Sequence, residues 1–172
     1  MDRVCSVKLQ YLDDILIDII KKLQSDNEAD DLWRCLKYPT SDALDLPITD
    51  TDKGILSLQN NKDGRLILKF YNNEIIDNTQ TQLRIFLDNS SDFDGVASTL
   101  NFGFEILIHD NAWFLDNQKI RANTIIANIL NVLNGKAIDR SIKPLDWNGF
   151  MQKRYYNGNY TGYSFVLTGV MA

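Results

Sequence analysis

His109 is the only histidine in the chain, and it stands beside Asp110 at the end of a strongly apolar stretch. An imidazole next to a carboxylate can serve as a general base toward a serine or cysteine nucleophile, but no spacing in the sequence marks that partner. A histidine on the rim of a sheet, capped by the loop that follows, is the simpler account. Asp88, Asp92 and Asp94 crowd one loop and would suit a magnesium ion held for phosphodiester cleavage. The glutamates speak against such a nuclease. Glu28, Glu74 and Glu105 are the only ones, and none is followed two residues later by the lysine that a common nuclease motif requires. Residues 88–95 also lack the closing glutamate and the aspartate spacing of an EF-hand, so a solvated turn is expected there.

Other chemistries find equally little to stand on. The nine glycines are dispersed, with no Gly-x-Gly-x-x-Gly or Gly-x-x-x-x-Gly-Lys to cradle a phosphate. Cys5 and Cys35 lie far apart without Cys-x-x-Cys spacing, which indicates two reduced thiols rather than a zinc site or a disulfide framework. Arg154-Tyr155-Tyr156 with Tyr160 and Tyr163 mixes basic and aromatic groups as single-stranded nucleic-acid surfaces do. With a formal charge of -5 and a pI of about 4.8, however, no global attraction to nucleic acid or anionic membrane is expected, which leaves only local patches. A hairpin whose tyrosines alternate between core and interface is the better reading. No catalytic, cofactor-binding or metal-ligating residue is expected, and no enzymatic turnover.

The elements that carry these residues follow from periodicity. Leu9, Leu12, Leu16, Ile19 and Leu23, widened by Ile15 and Ile20, recur at helical spacing, with Asp13, Asp14, Asp18, Lys21 and Lys22 opposite and Asp18 paired with Lys22. A shorter helix is expected over 31–36, stopped by Pro39. Residues 40–61 turn to Asp, Thr, Ser and Asn with Pro47 and Gly54 and read as a long loop or arm, either mobile or ordered by a partner. Its apolar members, Leu44, Leu46, Ile48, Ile55, Leu56 and Leu58, favour contact with a partner. Strands are expected at 65–71, after the Asp63-Gly64 turn, and at 82–87, with Leu83, Ile85 and Leu87 on one face.

The longest strand is announced by Leu100, Phe102, Phe104, Ile106 and Ile108 at period two. The helix after it carries Ile125, Ile126, Ile129, Leu130 and Leu133. Asp116 or Asn117 is placed to turn or cap its entry, and Gly135 to end it in a left-handed conformation. A closing hairpin over 145–156 and 161–170 turns at Asn157-Gly158-Asn159. Helix, strands, helix, strands in that order predict an α+β fold, helices covering one face of a largely antiparallel sheet. At 172 residues, 44% hydrophobic and 24% charged, the composition suits one globular domain spanning 1–172. Early charges interrupt any signal-peptide core and no apolar run approaches ~20 residues, so the protein is expected to be made and used without crossing a membrane.

Taken in order, the leading amphipathic helix, the strand with Phe-Glu-Ile-Leu-Ile-His, the Asp116-Asn117 turn, Arg121-x-x-x-Ile125, the Leu-Asn-Gly helix end and Tyr160-x-Gly162-Tyr163 resemble the neck and tail-terminator proteins of tailed bacteriophages. The 40–61 insertion departs from that pattern. The resemblance implies a structural virion protein: a ring, six copies favoured, that caps the tail tube and joins it to the head connector, letting DNA pass without specific binding. It would be assembled in the bacterial host cytoplasm and reside in the neck or tail of the virion. The candidates for subunit contact are Trp113, Arg121, Arg154, Tyr160 and Tyr163, with Leu44, Leu46 and Ile48 from the arm. Arg121, opening its helix, is the expected polar anchor of assembly. Another neck or baseplate subunit is the alternative, as is a monomeric module that binds a host protein.

Overall fold

Strict alternation of large apolar residues builds β3 (Ser98–His109), and Leu100, Phe102, Phe104, Ile106 and Ile108 retain no exposed surface. The computed structural model describes residues 4–68, 80–91, 98–138, 142–156 and 159–171. Among them, five strands form one sheet: β1 (Leu66–Ile67), β2 (Thr81–Ser91), β3, β4 (Asp146–Tyr156) and β5 (Tyr160–Met171), in spatial order β1-β2-β3-β5-β4. Only the β1–β2 pair is parallel. The α+β class and the mostly antiparallel sheet agree with the periodicity. The 65–71 strand is seen as Leu66–Ile67, and Lys69, Phe70 and Tyr71 lie outside the described residues, as do Glu74, Asp92, Asp94 and the Asn157-Gly158 turn.

Helices α1 (Val4–Ser25), α2 (Asp30–Lys37), α3 (Asp50–Leu56) and α4 (Arg121–Leu133) supply the second layer. In α1, Ile15, Ile19, Ile20 and Leu23 are buried; the side chains of Cys5 and Leu9 lie outside those described. Asp18 pairs with Lys21 at 2.9 Å and not with Lys22, which reaches Asp26 at 3.7 Å. Helix α4 buries Ala122, Ile125, Ile126, Ile129, Val132 and Leu133. These faces join Phe102, Phe104, Phe165 and Leu167 of the sheet in one hydrophobic cluster, with Phe104 and Phe165 stacked 5.1 Å apart.

Several expectations need correcting. Residues 40–61 contain a 3-10 turn at Ala43–Asp45 and helix α3, which is opened by a capping box between Thr49 and Asp52. Ala43 and Leu56 are fully or nearly buried, and Leu44 and Ile48 pack on the same core, so much of this segment is built into the chain's own fold. Strand β2 runs to Ser91, through the first part of the expected 88–95 loop. Its burial is two-sided: Gln82, Arg84 and Phe86 are buried as well as Leu83 and Ile85. Gly103 makes that possible on β3, because a Cβ there would run into the Phe86 ring. Of the two roles open to Asp116 and Asn117 before α4, the structure shows the turn: they form a tight one in which Asn117 and Gln118 both have φ near +60°, and the N-cap is Ile120. Gly135 takes φ +71 as expected.

Arg121 departs furthest from expectation. Its side chain has no exposed surface, and the guanidinium donates to four backbone carbonyls of its own chain: Nε to Ala112 at 2.6 Å, Nη1 to Cys35 at 3.0 Å and Tyr38 at 2.7 Å, and Nη2 to Thr40 at 2.6 Å. The residue is a polar anchor, but an internal one, tying the end of α2 to the turn before α4. Burial pulls its pKa below the ordinary arginine value. A delocalised cation with five fixed donors suits a cage of carbonyls, and the carboxy end of α2 adds a favourable dipole.

Two stability measurements follow. Phe104→Ala should lower the denaturant-derived unfolding free energy by about 3–5 kcal/mol, as for a fully buried aromatic. Arg121→Ala leaves four backbone carbonyls, two of them in buried hydrogen bonds, without their donor and should cost about 3 kcal/mol or more, with Arg121→Lys recovering only part. An Arg121→Ala melt matching the wild type would remove the clamp from the fold's essentials.

Candidate functional site

The β4–β5 hairpin places Lys153 opposite Tyr163, Arg154 opposite Gly162 and Tyr155 opposite Thr161. The pairing of β5 with β3 is so close at Gly162 that a Cβ would collide with the Ile106 carbonyl oxygen, which explains the glycine in Tyr160-x-Gly-Tyr163. Tyr163 is half-buried against the core, and the Trp113 ring tilts over it at 6.3 Å. These residues, with Lys153, Arg154 and Tyr155, line a cleft of about 120 Å³. Such a volume is well under the 300–1,000 Å³ typical of a small-molecule site and fits a single inserted side chain better.

Arg154 is partly engaged inside the chain. Its Nε donates to Ser164 Oγ at 2.9 Å and stands 3.8 Å from Glu105 Oε1, while Arg84 Nη1 meets Glu105 Oε2 at 3.0 Å. Glu105 thus draws arginines from β2 and β4 across the second face of the sheet. Tyr160 is buried as well, its ring edge-on to His109 at 5.1 Å. His109 Nδ1 accepts from the Asn111 amide at 3.2 Å, the capped rim position expected of it. The Cys35 thiol is fully buried, and desolvation pushes its pKa to about 12, which keeps it protonated at neutral pH.

The structure therefore brings Trp113, Arg154 and Tyr163 together, seals Arg121 and Tyr160 within the fold, and holds Leu44, Leu46 and Ile48 half-buried beside α2. Arg34 Nε donates to the Leu46 carbonyl at 3.0 Å, fixing that stretch to the helix. Of the most exposed apolar groups, sequence reasoning singled out Tyr155 but missed Phe114, Phe150 and Met151. Phe114 is 59% exposed, Phe150 65% and Tyr155 75%, with Met151 beside them. The available signal was Gly149: it sits at φ +80 inside a bulge of β4, where the alternation of faces slips.

A second, polar cleft of about 490 Å³ is lined by Gln24, Ser25, Asn27, Asp50, Lys53 and Gly54. Its cation is already engaged: Lys53 Nζ lies 2.7 Å from Asp30 and donates to the Gln24 carbonyl at 3.2 Å. Among the described residues, no group of three or more His, Cys, Asp or Glu side chains is gathered to hold a metal ion, and no helix is long and apolar enough to cross a membrane.

Comparison with curated proteins and with solved structures gives no match. The YomW family, in contrast, matches residues 29–168, a span that takes in α2, α3, α4 and nearly all of the sheet. The chain belongs to the YomW family, a phage-associated family of Bacillus phage type.

Proposed function

We propose that the chain is a structural subunit of a tailed-phage particle, assembling into a closed ring that caps the tail tube and joins it to the head connector. Family membership supplies the phage setting. The observation that supports assembly is the exposed apolar surface on the edge strand β4: Met151 and Tyr155, on one face of the strand with Lys153 between them, are exposed, as is Phe150 in the bulge before them. Surfaces of that kind, clustered and rimmed by charge, are characteristic of protein–protein contact.

A ring requires two different patches per subunit whose rotation closes, and six copies is the favoured number. No substrate is turned over in this reading; the protein's work is done by binding its neighbours. The overall negative charge suits a channel for DNA, because phosphate binding grows with each cation offered and a net acidic lumen would not retain the passing duplex. The setting is the virion, built in the cytoplasm of the bacterial host.

Peptide mapping of purified particles, together with imaging of the antibody-labelled chain, tests the proposal. The expected result is a ring of this chain at the head–tail junction, and unjoined heads and tails when the chain is withheld. Its absence from purified particles would sink the reading.

A further inference from the structure

We propose that the small cleft beside Trp113 receives a single glutamate or aspartate side chain from an acidic segment of a partner polypeptide. This contact is independent of whether copies of the chain close into a ring.

Strand register decides which groups the cleft offers. Thr161 and Tyr163 of β5 lie opposite Ile108 and Ile106 of β3, so they share the face that carries the core, and Tyr155 and Lys153 of β4 lie opposite them in turn. Arg154 alternates to the other face, where it meets Ser164 and Glu105. Lys153 is therefore the cation on the cleft's side, and no carboxylate is among the residues that line the cleft.

The polar ends of these side chains are not engaged within the chain. The Trp33 indole donates to the Leu23 carbonyl at 2.8 Å and the Trp147 indole to the Phe150 carbonyl at 3.4 Å. The half-buried Trp113 indole has no such acceptor among the described residues, and the hydroxyls of Tyr163 and Thr161 likewise have no hydrogen-bond partner there. Lys21, Lys37, Lys53 and Lys136 each reach a carboxylate, whereas the exposed Lys153 reaches none among the described residues. Buried or half-buried indoles and phenols ordinarily find a partner for their polar end.

The chemistry of these groups selects the occupant. An indole N–H and an ammonium can only donate, so what enters must bring acceptors, and one unpaired cation calls for one negative charge. A space of about 120 Å³ walled by aromatic rings suits the methylene stem and carboxylate of one acidic side chain. The rest of the ligand must lie outside, which is how a side chain anchors a longer polypeptide and not how a free small molecule is enclosed. The exposed Tyr155 ring extends the surface on which that polypeptide would lie. A nucleic-acid strand would ask for a row of cations along its backbone, and the cleft supplies one.

Capped hexaglutamate and capped hexaglutamine, titrated at low salt into the full chain labelled with fluorotryptophan, test this. The three indole signals are assigned with Trp113→Phe. Hexaglutamate should move the Trp113 signal and leave that of the buried Trp33 in place, and hexaglutamine should move neither. Lys153→Gln should weaken hexaglutamate binding by roughly fivefold or more, with an unfolding midpoint near that of the wild type, and Lys153→Arg should keep most of the affinity. Equal movement of the Trp113 signal by both peptides, or by neither, would overturn the proposal. So would undiminished affinity in Lys153→Gln, or an oligothymidylate of the same length that moves the Trp113 signal at lower concentration than hexaglutamate does.

Discussion

The fold depends on a cation that has no carboxylate partner among the described residues. Arg121 begins α4, where the helix dipole disfavours a positive charge, and yet its guanidinium is wholly enclosed. Compensation comes from the carbonyls of Ala112, Cys35, Tyr38 and Thr40, which converge from two parts of the chain. Two of them, Cys35 and Tyr38, lie at the end of α2, where carbonyls lack helical partners. One side chain thus satisfies a helix terminus, fixes the loop around Pro39 and sets the start of α4. A neighbouring tie has the same character: Asn128 of α4 accepts from the Leu32 amide in the first turn of α2 at 3.1 Å, where Ala29 offers no side-chain cap. Helix α2 is held at both ends by α4.

That arrangement fixes what the sheet can show to solvent. With α1, α2 and α4 committed to the face of Phe102, Phe104 and Ile106, the opposite face is left to the buried pair Arg84 and Glu105, which the half-exposed Arg154 joins from its rim. A buried carboxylate between two guanidiniums gives no large net stabilisation once desolvation is counted, but it strongly disfavours any register that separates the three strands. Specificity of pairing is the gain. The glutamate in Phe-Glu-Ile-Leu-Ile-His is part of the sheet's register, and the motif reads as architecture, not chemistry.

Much of this was legible because it is periodic. Helix α1, strand β3, the closing hairpin and the left-handed Gly135 all follow from spacing and turn chemistry within a dozen residues. Helix α3 escaped because its capping box uses Asp52 where a glutamate is the familiar third member, and because Gly54 interrupts a helix of only seven residues. The fate of Arg121 was illegible for another reason. Its acceptors are backbone groups more than eighty residues away for Cys35, Tyr38 and Thr40, and carbonyls carry no sequence signature. Arginine at a helix start looks the same in sequence whether it faces solvent, a partner or the interior. The exposure of Phe150 and Met151 failed to register because one bulge at Gly149 decides the facing of β4 locally.

The two sheet edges also explain why this fold would favour ordered assembly over aggregation. An open sheet offers two rows of unpaired backbone groups, and identical open edges would invite pairing without limit. In this chain one edge is closed by the Gln59 carboxamide, and the other is bent by a bulge and guarded by Lys153. Backbone complementarity, which is indifferent to sequence, is suppressed at both. What remains exposed is side-chain surface, Ile55 and Leu58 at one edge and Met151 and Tyr155 at the other, and side-chain surfaces discriminate among partners. Specific contact between unlike patches can then set a fixed angle between copies, the geometrical requirement for closing a ring.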